Sequence, residues 1–228
     1  MTSTIRTTEP KRHHSKSQTR SALLKSALIL YSQHGAKGIS MNKVAKGAGI
    51  AQPSFYNHFP KLESLLDELR LQLKKNYMEP ISKAVLSMLK DYDILSSEEF
   101  RQQNRHCLEL IFDATFRDIR LFKHIMEDRP RFESGNTVGF GCLLNELQDE
   151  WCAVIIQGLK LSGRSFDLNY VQLCLDCASA QIHELIIGCH DGRYSQEHAI
   201  NLLSKNLTVL FSELFSELFS RNKPTMVN

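Results

Sequence analysis

Long apolar runs are missing from this 228-residue sequence, which argues against a membrane-spanning helix. A helix needs about 18 consecutive apolar residues to cross a bilayer. The longest candidate, residues 151–159, is far shorter than that and has charged neighbours. The N-terminus also lacks the apolar core of a secretory signal and is polar and basic instead. These features predict a cytoplasmic protein with no membrane contact.

Motifs of catalysis and metal binding are also missing from the sequence. It contains no glycine-rich phosphate loop, no helical pair of histidines at metal-binding spacing and no nucleophile motif in its usual context. The nine histidines are scattered along the chain. We therefore expect no catalytic residue, no cofactor and no metal site, and an enzyme is the less favoured alternative.

The six cysteines are expected to be free thiols, because the cytosol is reducing. Cys174 and Cys177 have the spacing of half a metal site or of a redox pair. They lie, however, inside a long helical pattern, and no second pair has zinc-site spacing. The spacing therefore favours plain core cysteines.

Acidic residues are scarce in the first part of the chain. Residues 1–61 contain ten Lys or Arg and a single acid, Glu9, for a net charge of +9, whereas residues 62–228 carry −6. This asymmetry predicts that the first part meets a polyanion. A basic tail that aids solubility is the alternative, but it accounts poorly for Lys37, Lys43 and Lys61, which punctuate an ordered pattern.

Helical periodicity runs through most of the sequence, and no segment shows clean strand alternation, so the chain is predicted to be all-α. Residues 39–59 show a helix, a three-residue turn and a second helix, which is the helix-turn-helix arrangement. Such a second helix, here predicted over residues 51–57, enters the major groove. The expected buried wedge is Val44, Ala45, Ile50 and Phe55. The expected outward side chains are Gln52, Ser54, Tyr56 and Asn57.

The segment from Gly38 to Leu66 resembles the tetracycline-repressor (TetR) family of bacterial regulators. The residues that carry the resemblance are Val44-Ala45, Ala48-Gly49-Ile50, Phe55-Tyr56, His58-Phe59 and Glu63 with Leu65. It covers roughly residues 18–70. The resemblance implies a small DNA-binding domain followed by a larger helical domain that binds a ligand and dimerises.

The resemblance also implies roles for individual residues. Gln52, Pro53 and Ser54 match the start of the recognition helix, where base contacts lie, and Tyr56 and His58 match positions that contact phosphates. For Tyr56 and His58, packing against the fourth helix is the alternative. Met41, Asn42 and Lys43 match the start of the supporting helix, with Asn42 near a base edge and Lys43 near a phosphate.

Two departures from the family pattern concern the same segment. Ala51 stands where the family often has a Ser or Thr helix cap, which weakens the cap by about 1 kcal/mol. Lys61 precedes Leu62 and Glu63, so the lysine that meets phosphate is displaced by one position. We further hypothesise that a basic arm containing Lys11, Arg12, Lys16 and Arg20 adds phosphate or minor-groove contacts.

The expected domains are a disordered basic arm (1–16), a helix-turn-helix DNA-binding domain (17–66), a helical ligand-binding and dimerisation domain (67–221) and a flexible tail (222–228). The fourth helix is predicted over residues 61–78, with a kink or an end at Pro80. A ligand pocket is predicted among the middle helices, although the same periodicity also fits plain core. Its predicted residues are Met88, Leu110, Phe112, Phe116, Trp151 and Ile155.

The stretch from Leu121 to Arg131, with the helix predicted at 168–190, is similar to TetR-type regulators of unsaturated fatty-acid synthesis. That similarity implies an acyl-CoA effector, with Arg129 and Arg131 facing a phosphate at the mouth of the pocket. A solvated helix end is the alternative reading of these arginines. A drug-like molecule or another hydrophobic metabolite is the alternative effector.

The last two predicted helices, 168–190 and 196–221, are apolar on more than one face. In the family such pairs form a four-helix bundle across a two-fold axis. We therefore expect a homodimer that binds double-stranded DNA at a palindromic operator and acts as a ligand-responsive regulator, most simply a repressor. An architectural DNA binder without a ligand is the alternative of another class.

Overall fold

The computed structural model describes residues 16–90, 97–129, 139–161 and 166–216. Helix is the only regular secondary structure in these residues, which confirms the predicted all-α class. The chain forms two compact units that meet in sequence at Leu69 and Arg70. The basic arm up to residue 15, Arg131 and the tail 222–228 lie outside the described residues, whereas Lys16 already begins the first helix.

The first unit is built from α1 (Lys16–His34), α2 (Met41–Gly47), α3 (Gln52–Phe55) and the first part of α4 (Leu62–Leu73). Its core consists of apolar side chains at helical spacing, none more than 5% exposed: Leu23, Leu24, Ala27, Tyr31, Val44, Phe55, Phe59, Leu65 and Leu69. Burying each large side chain contributes roughly 1.5–3 kcal/mol. Short helices of this kind are marginal alone and are stabilised by this shared core.

The second unit follows with six helices among the described residues: α5 (Glu79–Lys90), α6 (Ser97–Arg117), α7 (Ile119–Glu127), α8 (Cys142–Leu161), α9 (Leu168–His190) and α10 (Gln196–Ser216). Helix α10 packs on α6 and α9, while α5 packs on α6 and α8. Buried polar side chains join some of these helices. Asn104 donates to the Ser204 carbonyl at 3.3 Å, and the Ser204 hydroxyl donates to the Arg101 carbonyl at 3.2 Å.

The prediction of a kink or helix end at Pro80 was wrong in position. Helix α4 ends earlier, at Leu73, and a π-helical turn, Lys74–Met78, leads into α5, with Pro80 in its first turn. In this π segment the Glu79 N–H donates to the Lys74 carbonyl, five residues back. Proline has no N–H and its ring crowds the carbonyl four residues before it, so the turn preceding Pro80 widens instead of breaking.

The cysteines are free thiols, and their burial varies. Cys107 and Cys174 are buried, as the core reading predicts, but Cys177 is exposed, which corrects that reading for this residue. Cys177 lies about 60° around α9 from Cys174, beyond the edge of the buried stripe formed by Val171, Cys174, Leu175 and Ala178. Among the described residues, no group of three His, Cys, Asp or Glu side chains stands where it could hold a metal ion.

Candidate nucleic-acid interface and ligand cavity

The turn between α2 and α3 depends on two glycines. Gly49 has a φ of +71°, a left-handed conformation that side chains disfavour. A Cβ on Gly47 would lie 2.2 Å from the Ser26 hydroxyl oxygen, so α1 approaches α2 too closely for any side chain. That buried hydroxyl donates to the Val44 carbonyl at 2.9 Å and fixes the approach. At the start of α2, the Ser40 side chain accepts from the Lys43 N–H at 3.4 Å.

The predicted wedge beneath this turn is largely present. Val44, Ala45 and Phe55 are buried. Ile50 is only half-buried, which corrects its prediction as a core residue. Its backbone N–H donates to the Ala45 carbonyl at 3.0 Å, so the tight turn holds it at the rim of the core.

The residues predicted to contact DNA lie mostly at the surface of the first unit. Exposed are Asn42, Lys43, Gln52, Pro53, Tyr56, Asn57 and Lys61, whereas Met41, Ser54 and His58 are half-buried. Helix α3 is shorter than the predicted 51–57, and tight turns continue it, with the His58 N–H donating to the Phe55 carbonyl at 2.9 Å. Ala51 gives α3 no side-chain cap, as predicted.

Tyr56 and His58 differ in how much of each side chain is exposed and available to a binding partner. Tyr56 is 53% exposed, and its ring stands edge-on to Phe55 with centroids 6.0 Å apart. His58 is partly packed, and its Nδ1 is buried without a partner in the described part of the chain. Only its Nε2 is therefore left to reach a phosphate. The Lys43 ammonium donates to the Gly38 carbonyl at 3.2 Å, although its side chain is exposed.

Arg20 is not a free cation of the basic arm, and the hypothesis needs correcting there. Its guanidinium pairs with Glu68, donates to the His58 carbonyl and lies 4.0 Å from the centre of the Phe59 ring. Sequence reasoning missed this cross-link because the partners are 38 to 48 residues apart. Arg20 therefore ties α1 to α4 and to the backbone of His58, in the segment predicted to contact DNA.

The second unit encloses a mostly apolar cavity with about 770 Å³ of space outside protein atoms, including its open mouth. The wall is made by the π segment and helices α5 to α9. Its apolar lining includes Met78, Ile81, Ile111, Leu121, Ile125 and Leu147. Its polar lining includes Tyr77, Thr115, Asp118, Arg129, Gln148 and His183. Such a lining, apolar with few polar groups, is typical of sites for small organic molecules.

Two of the predicted ligand residues, Arg129 and Trp151, line this cavity. Phe112 and Ile155 lie instead in the buried core, where Phe112 stacks on Phe116 with centroids 6.2 Å apart. Met88 is buried beside a separate, open depression, and Leu110 is half-buried away from the cavity. Periodicity identifies inward-facing positions without telling whether they meet protein or empty space.

One polar feature of the cavity wall is an arginine held by two side-chain amides, which we call the Arg129 clamp. The Arg129 guanidinium donates to the Asn145 side-chain oxygen at 2.7 Å and to the Gln148 side-chain oxygen. The Gln148 amide nitrogen donates to the Asp176 carboxylate at 2.6 Å. Gln148 was not predicted, although a glutamine within the apolar stripe of a helix signals a buried polar contact.

Burial changes the protonation of two groups in the cavity wall. Burial, together with the positive charge of Arg129, lowers the pKa of His183 to about 4, so this histidine is neutral near pH 7. Its ring stands edge-on to Phe122 with centroids 6.0 Å apart. Burial also raises the pKa of Tyr77, with a smaller contribution from Asp118. Both side chains therefore meet a ligand in their uncharged forms.

The first unit matches a known family of DNA-binding domains. Residues 23–69 match the family described as bacterial regulatory proteins, tetR family. The HTH-type transcriptional regulator AcrR of Shigella flexneri is 29% identical over 104 residues, 42% of this chain. The match spans 48% of the length of that relative.

Solved structures of tetR-family regulators share the fold. A Streptomyces coelicolor regulator matches with a TM-score of 0.58 at 16% identity, covering 90% of this chain and 85% of its own. A Marinobacter aquaeolei regulator matches with 0.56 at 16% identity, covering 85% and 95%. A Clostridium perfringens protein named for fatty acid metabolism regulation matches with 0.57 at 14% identity, covering 82% and 97%. In the described part of the chain, no helix is both long and apolar enough to cross a membrane.

Proposed function

We propose that the chain is a ligand-responsive repressor of the tetR family, because residues 23–69 match the model of that family and solved structures of tetR-family regulators share the fold. It binds a palindromic operator as a homodimer and leaves the operator when a small apolar ligand fills the cavity. The family assignment groups it with DNA-binding regulators rather than enzymes. The observation that carries the proposal is the surface of α2 and α3, whose exposed side chains are polar or basic above a buried apolar wedge.

Base reading is assigned to the exposed start of α3 and to Asn42. A glutamine such as Gln52 bonds to adenine through two parallel hydrogen bonds, and Ser54 accepts several bases. Lys43, Tyr56, His58 and Lys61 are assigned to phosphates, which position the protein without reading sequence. Met41, Pro53 and Asn57 complete the contact surface.

Homodimerisation is supported by apolar side chains left exposed on α9 and α10. Leu168, Leu173, Leu202 and Val209 are each more than half exposed. Leu202 and Val209 are seven residues apart, two turns along one face of α10. Apolar helix faces of this kind are typical of a subunit interface.

The switch runs through the helix that leaves the DNA-binding unit. Helix α4 continues into the π segment, and Tyr77 and Met78 of that segment line the cavity. Lys74 in the same segment pairs with Glu146 at 2.9 Å and Glu150 at 3.4 Å on α8, the helix that carries Gln148 and Trp151. A ligand that shifts the cavity wall therefore acts on the segment that follows α4.

A fatty acyl-CoA is the specific effector that we propose to test first. The support is the apolar cavity with Arg129 in its wall, together with a structural neighbour named for fatty acid metabolism. We expect a long-chain acyl-CoA to raise the melting temperature and free CoA not to. Equal shifts with both, or none with either, would leave a drug-like or other hydrophobic metabolite as the effector.

The test of the regulator itself is a footprint on DNA upstream of its own gene, with and without metabolites. We expect a protected palindrome that the Gln52→Ala variant binds more weakly. Gln33→Ala is the matched control, since Gln33 is an exposed glutamine near the end of α1. Specific protection that no metabolite changes would favour an architectural DNA binder, and equal loss in both variants would contradict the assigned interface.

A further inference from the structure

The charge of Arg129 is not balanced by a carboxylate in the described part of the chain. None of the ion pairs between described residues includes it. Its two partners, the Asn145 and Gln148 side-chain oxygens, are neutral. Asp176 lies one hydrogen bond further away, behind Gln148. The cavity wall therefore contains a positive charge that has no anionic partner among the residues that the structure describes.

The orientation of this charge is fixed by its neighbours. Gln148 is only 4% exposed, and its amide nitrogen is committed to Asp176, so its oxygen faces the guanidinium. The bonds to Asn145 and Gln148 use Nε and Nη2 of Arg129, and its Nη1 has no hydrogen-bond partner among the described residues. A guanidinium held along one edge in this way presents its remaining N–H groups as a prepared anion site.

A second donor without a partner lies on the same helix face. Trp151 follows Gln148 by three residues on α8, and its indole Nε1 is buried with no hydrogen-bond partner in the described ranges of the chain. Two other polar groups of the lining already have partners. The Thr115 hydroxyl donates within its own helix, with the Ile111 and Phe112 carbonyls each 2.9 Å away, and the Asp118 carboxylate caps α7 by accepting from the Leu121 N–H at 3.2 Å. Among the described residues, the polar groups of the lining that still need a partner are therefore two donors, the Arg129 guanidinium and the Trp151 indole N–H.

We infer that the cavity selects an apolar ligand with a free anionic head, such as a carboxylate, which binds Arg129 and the Trp151 Nε1–H. This inference rests on the proposed function and names the ligand class of its cavity. His183 does not compete as a cation, because burial and Arg129 keep it neutral near pH 7. An acyl-CoA, the effector proposed above, is the competing ligand class here, because its thioester carbonyl is uncharged and only the phosphates of its coenzyme A part carry negative charge.

Trp151 is the only tryptophan of the chain, so its fluorescence reports directly on the cavity. The probes are dodecanoate, dodecanol, dodecylamine and dodecanoyl-CoA, which share one chain length and are used below their micelle concentrations. We expect dodecanoate to bind at least about tenfold more tightly than dodecanol. The carboxylate of dodecanoate forms a charged hydrogen bond with the Arg129 guanidinium, whereas the hydroxyl of dodecanol is uncharged. Dodecylamine should bind most weakly. Equal or tighter binding of dodecanol, dodecylamine or dodecanoyl-CoA would overturn the inference.

Variants locate the preference at the Arg129 clamp. Arg129→Gln should lower the affinity for dodecanoate about tenfold and leave dodecanol unchanged. Arg120→Gln is the matched control, because Arg120 is an exposed arginine on α7, the helix that ends two residues before Arg129. If Arg129→Gln does not fold, Arg129→Lys and Trp151→Phe take its place, with binding measured by calorimetry. Each variant should bring the affinities for dodecanoate and dodecanol closer together. An unchanged ratio in the folded variants contradicts the assignment.

Operator binding separates this inference from the proposed function. If dodecanoate binds tightly but does not release the operator, the switch fails and the ligand class stands. If a neutral ligand or an acyl-CoA releases the operator while dodecanoate does not bind, the ligand class fails and the regulator stands.

Discussion

The two units of the chain differ in where their polar side chains lie. In the first unit the interior beneath the helix-turn-helix is apolar apart from Ser26, and Gln52, Tyr56 and Asn57 face outward. In the second unit several polar groups lie inside, among them Gln148 in the Arg129 clamp and the indole N–H of Trp151.

This difference separates the kinds of partner that each unit suits. A surface of polar side chains over a rigid apolar wedge suits a large partner with its own hydrogen-bonding groups, such as the DNA groove. An apolar cavity wall with a few oriented donors suits a small molecule that loses most of its hydration when it binds. The four predictions that follow test whether structure and recognition are divided between the units in this way.

The largest effect is expected from removing the wedge of the first unit. Phe55→Ala should lower the free energy of unfolding by about 3–5 kcal/mol, because the ring is fully buried and leaves a cavity. The neighbouring Tyr56→Ala, at an exposed position, should cost far less. Urea denaturation of both variants measures the difference, and similar losses would show that the interior of this unit is not organised around Phe55.

A smaller effect is expected from the neutral histidine inside the second unit. The pKa of His183 falls from 6.5 to about 4 on folding, so protonation favours the unfolded chain. The stabilisation is complete above pH 6.5 and decreases as the pH falls toward 4, by about 3 kcal/mol at most. His183→Gln should flatten the fall of stability between these pH values, whereas the exposed His198→Gln should not. If the free energy of unfolding falls with pH in the same way in the original protein, His183→Gln and His198→Gln, the protonation of His183 does not contribute to stability.

The base-reading surface should contribute less and leave folding untouched. Gln52→Ala is expected to lose about 1–3 kcal/mol of discrimination at one base pair. Lys61→Gln should instead weaken binding to all sequences and reduce the salt slope by about one. Binding titrations at several salt concentrations on matched and mutated operators measure both. A uniform loss in Gln52→Ala would reassign Gln52 to the phosphate backbone.

The smallest effect is expected at the uncapped start of α3. Ala51 already has the extended backbone of an N-cap residue, with φ −70° and ψ 144°. Ala51→Ser should therefore stabilise the first unit by about 0.5–1 kcal/mol, and removing the existing cap with Ser40→Ala should cost about 1 kcal/mol. Denaturation midpoints of the two variants should move in opposite directions. A loss of stability in Ala51→Ser would mean that packing, and not capping, decides this position.

Local rules predicted the first unit well because its decisive residues act over short distances. Gly47, Gly49 and Phe55 shape a turn and a wedge within ten residues. The same rules could not find the bond of Arg20 to Glu68 or the partial burial of Ile50, since both depend on how separate helices meet. The DNA contacts themselves remain predictions.

In the second unit the sequence predicted the helices better than the cavity. The apolar stripes that contain Phe112 and Ile155 were correctly predicted to face inward, but these two residues contact other side chains in the core and not the cavity. The cavity is lined by residues of the π segment and of helices α5 to α9, so it depends on how all these elements pack together. Arg129 and Trp151 were found, whereas Gln148 and His183 were overlooked as single polar residues in apolar helices.

The π segment also changes the spacing of the buried side chains along the linking helix. The buried positions Leu65, Leu69, Leu73 and Met78 are separated by four, four and then five residues. In a regular α-helix a five-residue step would turn a side chain about 140° away from its stripe, since each residue turns about 100°. The wider turn absorbs one additional residue and keeps Met78 in line. Deleting one residue between 74 and 77 would therefore convert the π turn to α-helix and leave the apolar stripe in phase. The linking helix can thus lose one residue between α4 and α5 without turning its buried side chains away from the stripe.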